Sequence, residues 1–326
     1  YTLREPMGVV AAITPWNFPL IQSVWKIAAA LACGNTVIHK PASYTPLTAL
    51  RFADLAHEAG LPDGVLNVLP GSGHEVGEAL VRHPGIDKVG FTGSTAAGRR
   101  IGAICGEQLK RCTLELGGKS AAIVLEDANL DEAIPMLLPN AIMNSGQACL
   151  AQTRILAPRS RYDEVHEALV RAVSAMTVGD PADPAVQVGP LVAERQRDRV
   201  EGYLAKGREE GATVACGGGR PSDQKRGWFV EPTVFTDVEN SMTIAREEIF
   251  GPVLVTIPYD DPTDAIRIAN DSDYGLSGSV WTSDVERGIE VAKGVRTGSY
   301  GVNSVATMDM KAPFGGFKAS GLGREC

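Results

Sequence analysis

Through the first 120 residues, short apolar runs alternate with stretches of helical spacing, which restricts the chain to an α/β architecture. Residues 8–13, 36–39, 65–69, 88–92 and 113–116 read as strands, and residues 20–31, 47–59, 76–81 and 96–109 read as helices. The strand candidates are apolar throughout rather than alternating. That is the pattern of strands covered on both faces, as in a parallel sheet flanked by helices.

Near Ser120 the pattern starts again. Strands are expected at 121–125, 153–157, 229–234, 253–257 and 277–281. Helices are expected at 130–143, 162–176, 192–210, 263–269 and 285–293. Pro181, Pro184 and Pro190 mark one surface loop and residues 217–221 another. With 326 residues the chain is long for one domain. The expected fold is a Rossmann-like open parallel-sheet domain over residues 1–117 and a second α/β domain over 118–326, divided at Gly117-Gly118.

Composition excludes several classes. Hydrophobic residues at 44% and charged residues at 21% are an ordinary globular balance, so wholesale disorder is not expected. A net charge of -8 with no basic run disfavours nucleic acid. The longest apolar stretch, residues 27–33, is too short to cross a bilayer, and no secretory leader is expected. The five histidines are scattered and form no Cys/His cluster, so no metal site is expected. The six cysteines contain no C-x-x-C pair and read as reduced thiols in a cytoplasmic setting.

In open α/β sheets, ligands sit beyond the carboxyl ends of strands. Segments 14–19, 40–43, 71–73, 92–95 and 115–118 are therefore the places to look for chemistry. Gly71-Ser-Gly-His-Glu-Val-Gly77 is one residue too long for the G-x-G-x-x-G dinucleotide fingerprint. Gly93-Ser-Thr-Ala-Ala-Gly98 is not a P-loop, since Arg99 and Arg100 stand where Lys and Ser/Thr are needed. Ser94 is nevertheless a good helix N-cap, and the free N–H groups of a helix start suit a pyrophosphate.

Buried cysteine is usually a small hydrophobe, and Cys33, Cys105, Cys112 and Cys216 fit that reading. Cys149 differs, because Asn144-Ser-Gly-Gln-Ala-Cys149 places its thiol at a flexible connection. A cysteine hydrolase would need a partner histidine. The nearest, His166, lies on an amphipathic helix with nothing linking it to Cys149. Glu115 is an acid inside an apolar strand. It is either a strand-end carboxylate facing water or a buried general base with a raised pKa.

Seven segments occur in the order found in the NAD(P)-dependent aldehyde dehydrogenase superfamily, which the chain resembles over essentially its whole length. They are Thr14-Pro-Trp-Asn-Phe-Pro19, Lys40-Pro-Ala-Ser43, Gly90-Phe-Thr-Gly-Ser94, Leu114-Glu-Leu-Gly-Gly-Lys119, Gly146-Gln-Ala-Cys149, Glu247-Glu-Ile-Phe-Gly-Pro-Val253 and Pro313-Phe-Gly-Gly316. The resemblance implies that residues 1–117 bind NAD or NADP and that 118–326 carry the nucleophile. It implies Cys149 as nucleophile, Glu115 as general base, Asn17 as oxyanion donor and Lys26 near the active site. For the cofactor it implies Lys40 and Ser43 at the adenosine ribose and Trp16, Gly93 and Ser94 at the pyrophosphate. Glu248 would hold the nicotinamide ribose, Phe250 would lie beside that ring, and Gly73, Gly77, Phe91 and Leu116 would complete the site. The implied substrate is a small aldehyde.

Family members run longer at both ends, so the resemblance implies a core of a longer, homo-oligomeric protein. Serine at 43, where NAD-preferring members often carry Glu, implies that NADP is tolerated. The rival readings are a CoA-acylating aldehyde dehydrogenase, which Glu115 argues against, and a catalytically inactive protein that keeps the fold. The substrate pocket is expected around Met143, Leu150 and residues 304–310. Arg154 is expected either to form a structural ion pair or to meet an acidic substrate tail.

Overall fold

A computed structural model describes residues 1–326 except Thr307, Met310 and Cys326. The first stretch gives strand β1 (Val9–Ile13), helix α1 (Pro19–Ala32), β2 (Thr36–Lys40), α2 (Leu47–Glu58), β3 (Leu66–Val68), α3 (Glu78–Arg82), β4 (Lys88–Thr92), α4 (Thr95–Glu107) and β5 (Arg111–Glu115). These strands pair in parallel in the order β3-β2-β1-β4-β5. That is the doubly wound order expected of a Rossmann-like domain. The direction of winding reverses between β1 and β4, so the turns after these two strands border the same crevice. One face of the sheet buries Ala11, Ile13, Val89 and Leu114 with Ile104 of α4, and the other buries Ala12 and Val37 with Ile27 of α1.

The second stretch gives β6 (Ala121–Val124), α5 (Leu130–Ala141), β7 (Arg154–Pro158), α6 (Tyr162–Ser174), α7 (Glu194–Glu209), β8 (Thr213–Cys216), β9 (Thr233–Thr236) and α8 (Thr243–Arg246). It continues through β10 (Val253–Tyr259), α9 (Pro262–Asn270), β11 (Tyr274–Gly275), β12 (Gly278–Trp281), α10 (Val285–Gly294) and β13 (Gly301–Val302). Its sheet has the order β13-β12-β6-β7-β10-β9-β8 and is parallel except for β8. Successive residues of β6 enter opposite cores: Ala121 and Ile123 on one side, Ala122 and Val124 on the other.

Two compact units result, and the division departs from the expected one at the chain's end. Gly117–Met308 form the second unit, whereas Asp309–Cys326 belong with Tyr1–Leu116. The cause is backbone pairing. After β14 (Phe317–Lys318) comes β15 (Gly321–Leu322), which runs antiparallel to β5 and extends the first sheet. A two-residue strand has too little periodicity to be read in advance. Strand β8 was likewise missed, and the strand expected at 229–234 begins only at Thr233.

Close packing in the first unit depends on Gly98 of α4. A Cβ there would stand 2.3 Å from Leu116 Cδ2. Gly98→Ala is expected to cost about 1–3 kcal/mol through overpacking, read as a lowered denaturant midpoint. An unchanged midpoint contradicts this packing.

Candidate active site

In the first unit, the turn after β1 carries Trp16 and Asn17, both half-buried. A histidine that the sequence reading left aside supports this turn. His39 Nε2 lies 3.0 Å from Thr14 Oγ1 and 3.1 Å from Ser23 Oγ. Burial, with Lys40 and Lys26 nearby, lowers its pKa to about 4, so the ring is neutral. The next strand ends in Lys40, 3% exposed, whose Nζ donates to Pro41 O at 2.7 Å. Ser43 Oγ donates to Gly71 O at 3.0 Å. Residues Gly73–Gly77 form a turn of π-helix capped by Ser72, so the helical segment begins earlier than expected. Gly77 lies against the Lys40 side chain.

The turn after β4 works as its sequence suggests. Ser94 caps α4 by accepting from Ala97 N at 3.3 Å. Gly93 is required because a Cβ would stand 2.5 Å from the Phe91 ring. Helix starts leave N–H groups without intrahelical partners. This one lies on the β4 side of the crevice, so an anionic pyrophosphate fits it.

Glu115 ends β5 and is 3% exposed, which rules out the water-facing reading. Its Oε1 has no hydrogen-bond partner among the described residues. Burial, then the Glu325 carboxylate, push its pKa up to about 8; Lys26, Arg324 and the Gly316 amide act in the opposite sense. Gly315 of Pro313-Phe-Gly-Gly316 is accounted for here, since a Cβ on it would stand 2.8 Å from Glu115 Oε1. Lys26, reaching in from α1, donates to Thr92 Oγ1 at 2.7 Å and to both Glu325 oxygens at 2.7 and 2.8 Å. Glu325 was not singled out from the sequence; an isolated acid near a chain end gives no signal. Leu116 follows, buried against Gly98.

The second unit assembles its site at the amino ends of three neighbouring strands, β6, β7 and β10. Gly117-Gly118 precede β6, Cys149 precedes β7, and Glu248 to Gly251 precede β10. Gly118 N donates to Glu248 Oε1 at 3.0 Å. A Cβ on Gly118 would stand 2.4 Å from Cys149 O, and one on Gly117 2.4 Å from Glu248 Oε2. Burial raises the Glu248 pKa to about 7, against the Gly118 hydrogen bond, Arg199 and Lys119.

The turn before half-buried Cys149 is backbone-strained. Asn144, Ser145 and Gly146 have φ of 52°, 57° and 74° in succession, and two of them are not glycine. Ser145 Oγ donates to Gly189 O at 2.9 Å, and Gln147 Oε1 accepts from Val192 N at 3.0 Å. Phe250 is also left-handed, at φ 62°. Two side chains of α7 hold its segment: Gln196 Nε2 donates to Phe250 O at 2.7 Å and Arg199 Nη2 to Glu248 O at 2.6 Å. Neither was anticipated, because polar residues on a charged helix are indistinguishable from a solvated face.

Two sequence readings need correction. Arg154 is buried, but its partners are neutral: the carbonyls of Lys119, Ile268 and Ala269, and Asn240 Oδ1. Among the described residues it is in no ion pair, and its guanidinium is taken up by these acceptors. Cys33 is exposed at the end of α1, not buried, while Cys112 and Cys216 are half-buried. None of the five described cysteines is in a disulfide; Cys326 lies outside the described residues. Of the expected substrate region, Thr307 and Met310 also lie outside them. Among the described residues, no group of three or more His, Cys, Asp or Glu could hold a metal, and no helix is long and apolar enough to cross a membrane.

The sequence profile of the aldehyde dehydrogenase family matches residues 1–326, and the chain belongs to that family. It is 54% identical to a geranial dehydrogenase of Castellaniella defragrans over 99% of this chain and 66% of the relative. An aldehyde dehydrogenase of Mycobacterium tuberculosis, solved with NAD+, is 59% identical with a TM-score of 0.97, over 99% of this chain and 66% of that one. An NAD+ complex from Bacillus cereus is 48% identical with a TM-score of 0.95, over 98% and 65% respectively. The chain thus spans about two thirds of the length of these relatives.

The close approach at Gly118 gives a test. Gly118→Ala forces the Cys149 backbone aside, and a misplacement of about 1 Å can cost about 10²-fold in rate. Turnover of any aldehyde the wild type accepts is expected to fall by about that factor with the far-ultraviolet circular dichroism unchanged. Wild-type turnover contradicts the assigned packing.

Proposed function

We propose that the protein oxidises an aldehyde to its carboxylic acid with NAD or NADP. The observation that carries this reading is a buried, partly unsatisfied carboxylate, Glu115, in a family member that also presents a thiol, Cys149, on a strained connection. Lys40 and Ser43 would take the adenosine ribose, with Gly73 and Gly77 beside them. Trp16, Gly93 and Ser94 would take the pyrophosphate over Phe91. Leu116, Glu248 and Phe250 would meet the nicotinamide end. The Ser94 helix start and the Gly118-braced Glu248 carboxylate supply the donors and the acceptor such a ligand needs.

The Cys149 thiolate adds to the aldehyde carbon, and the Asn17 amide with the Cys149 N–H donates to the oxyanion. Removing one such donor typically costs about 10²–10³ in rate. The chemistry that NAD or NADP supplies when bound is hydride acceptance, which leaves a thioester on Cys149. Glu115 then takes a proton from water, whose oxygen attacks the thioester carbonyl; the acid departs and Cys149 regains its proton. A cytoplasmic homo-oligomer is the proposed setting, since a thiol nucleophile must stay reduced.

Glu115→Gln should separate the two halves of this cycle. One equivalent of NADH is expected in a burst, followed by turnover slower by about 10²–10⁴, the usual worth of a general base. Loss of the burst as well contradicts the assignment. If added CoA restores full turnover in Glu115→Gln, the CoA-acylating reading replaces hydrolysis. In the wild type, burial raises the Glu115 pKa, so the active carboxylate grows as pH rises. Acid release should climb about tenfold per unit below pH 8 and level above it; a flat profile contradicts the role.

Ser43 leaves no carboxylate to repel a 2′-phosphate. NADP is therefore expected to work at a kcat/KM within about a thousandfold of NAD, or roughly 4 kcal/mol. A larger preference for NAD overturns this.

A further inference from the structure

Lys119 closes the Leu114–Lys119 motif, yet no step above employs it. It is 2% exposed, and its Nζ has no hydrogen-bond partner among the described residues. A buried ammonium without a partner is costly, and such groups are retained where they act on something nearby. Its backbone is clamped, since Arg154 Nε donates to Lys119 O at 3.0 Å. The side chain lines a small cavity of the second unit that Gly118, Gly146, Thr153, Glu248 and Phe250 also line.

Glu248 is the only carboxylate of that lining. One of its oxygens is fixed by Gly118 N. Burial favours its protonated form, and a protonated carboxyl is a poor acceptor for sugar hydroxyls. The Gly118 hydrogen bond opposes that, as do Arg199 and then Lys119, which shares the cavity. Burial lowers the Lys119 pKa to about 7; Arg154 acts in the same sense, and the Glu248 and Glu247 carboxylates oppose it. We propose that Lys119 is a positioning residue that keeps Glu248 ionised and oriented to accept the hydroxyls of the nicotinamide ribose. The inference rests on the dinucleotide reading of Glu248.

The test is NADH binding, followed by the ligand's fluorescence, for the full-length enzyme and its Lys119→Met, Glu248→Gln and doubly substituted variants. Lys119→Met is expected to weaken NADH about tenfold near neutral pH, the difference between a charge-assisted and a neutral hydrogen bond. It should have almost no effect in the Glu248→Gln background. It should also move to higher pH the midpoint at which NADH affinity is gained, because losing the cation raises the Glu248 pKa. A merely structural lysine would weaken binding equally in both backgrounds and leave the midpoint in place; either result overturns the inference. Absence of NADH binding by the wild type overturns the dinucleotide reading and this inference with it. If Lys119→Met does not fold, Lys119→Gln enters the same cycle with the same expectations.

Discussion

The missing Cβ atoms at positions 117 and 118 are the constraint on which the second unit's site depends. They let a backbone amide reach the Glu248 carboxylate and let the same segment lie against the carbonyl of Cys149. Gly146, whose Cβ would stand 2.1 Å from Gly251 O, closes the third side. Three connections are thereby locked, two of them by contacts onto backbone carbonyls and one through the Glu248 carboxylate. Rigid backbone contacts of this kind hold a segment's position better than mobile side chains do. The cost is visible as left-handed backbone at Asn144, Ser145 and Phe250.

Buried charge is the second theme. The first unit sinks Glu115, Lys26 and Glu325 into one cluster, where Lys26 and Glu325 satisfy each other and Glu115 does not share in their pair. The arrangement leaves Glu115 as a buried carboxylate outside the ion pair, with its pKa raised. Removing one partner of such a buried pair typically costs about 3–5 kcal/mol, so the Lys26–Glu325 contact also ties the last residues of the chain to the first sheet.

Much of the fold was legible because strands covered on both faces are written as unbroken apolar runs, and helices between them keep their own period. The parallel order could not be read residue by residue, but alternation left few choices. What escaped was written in too few residues. The two-residue β15 moved the chain's end into the first unit, and Glu325 arrived with it. In the site, Cys149 and Glu115 stood out as polar groups in the wrong local setting, although a role for either came only through the family resemblance. The expectation placed chemistry beyond the carboxyl ends of strands, segment 115–118 included. It did not extend to Cys149 and Glu248, which gather with Gly118 at the amino ends of β6, β7 and β10, because strand adjacency is a tertiary fact. Gln196 and Arg199 act through backbone carbonyls, which no sequence pattern announces.

The central claim is that the thiol at 149 carries the substrate as a thioester until the acid at 115 releases it. Acid-quenching Glu115→Gln protein after mixing with NAD+ and an aldehyde, then mapping its peptides by mass, tests this directly. The account requires the peptide containing Cys149 to be heavier by the aldehyde less two hydrogens. An unmodified Cys149 peptide after NADH has formed, or the added mass on Cys33 or Cys112 instead, would contradict it.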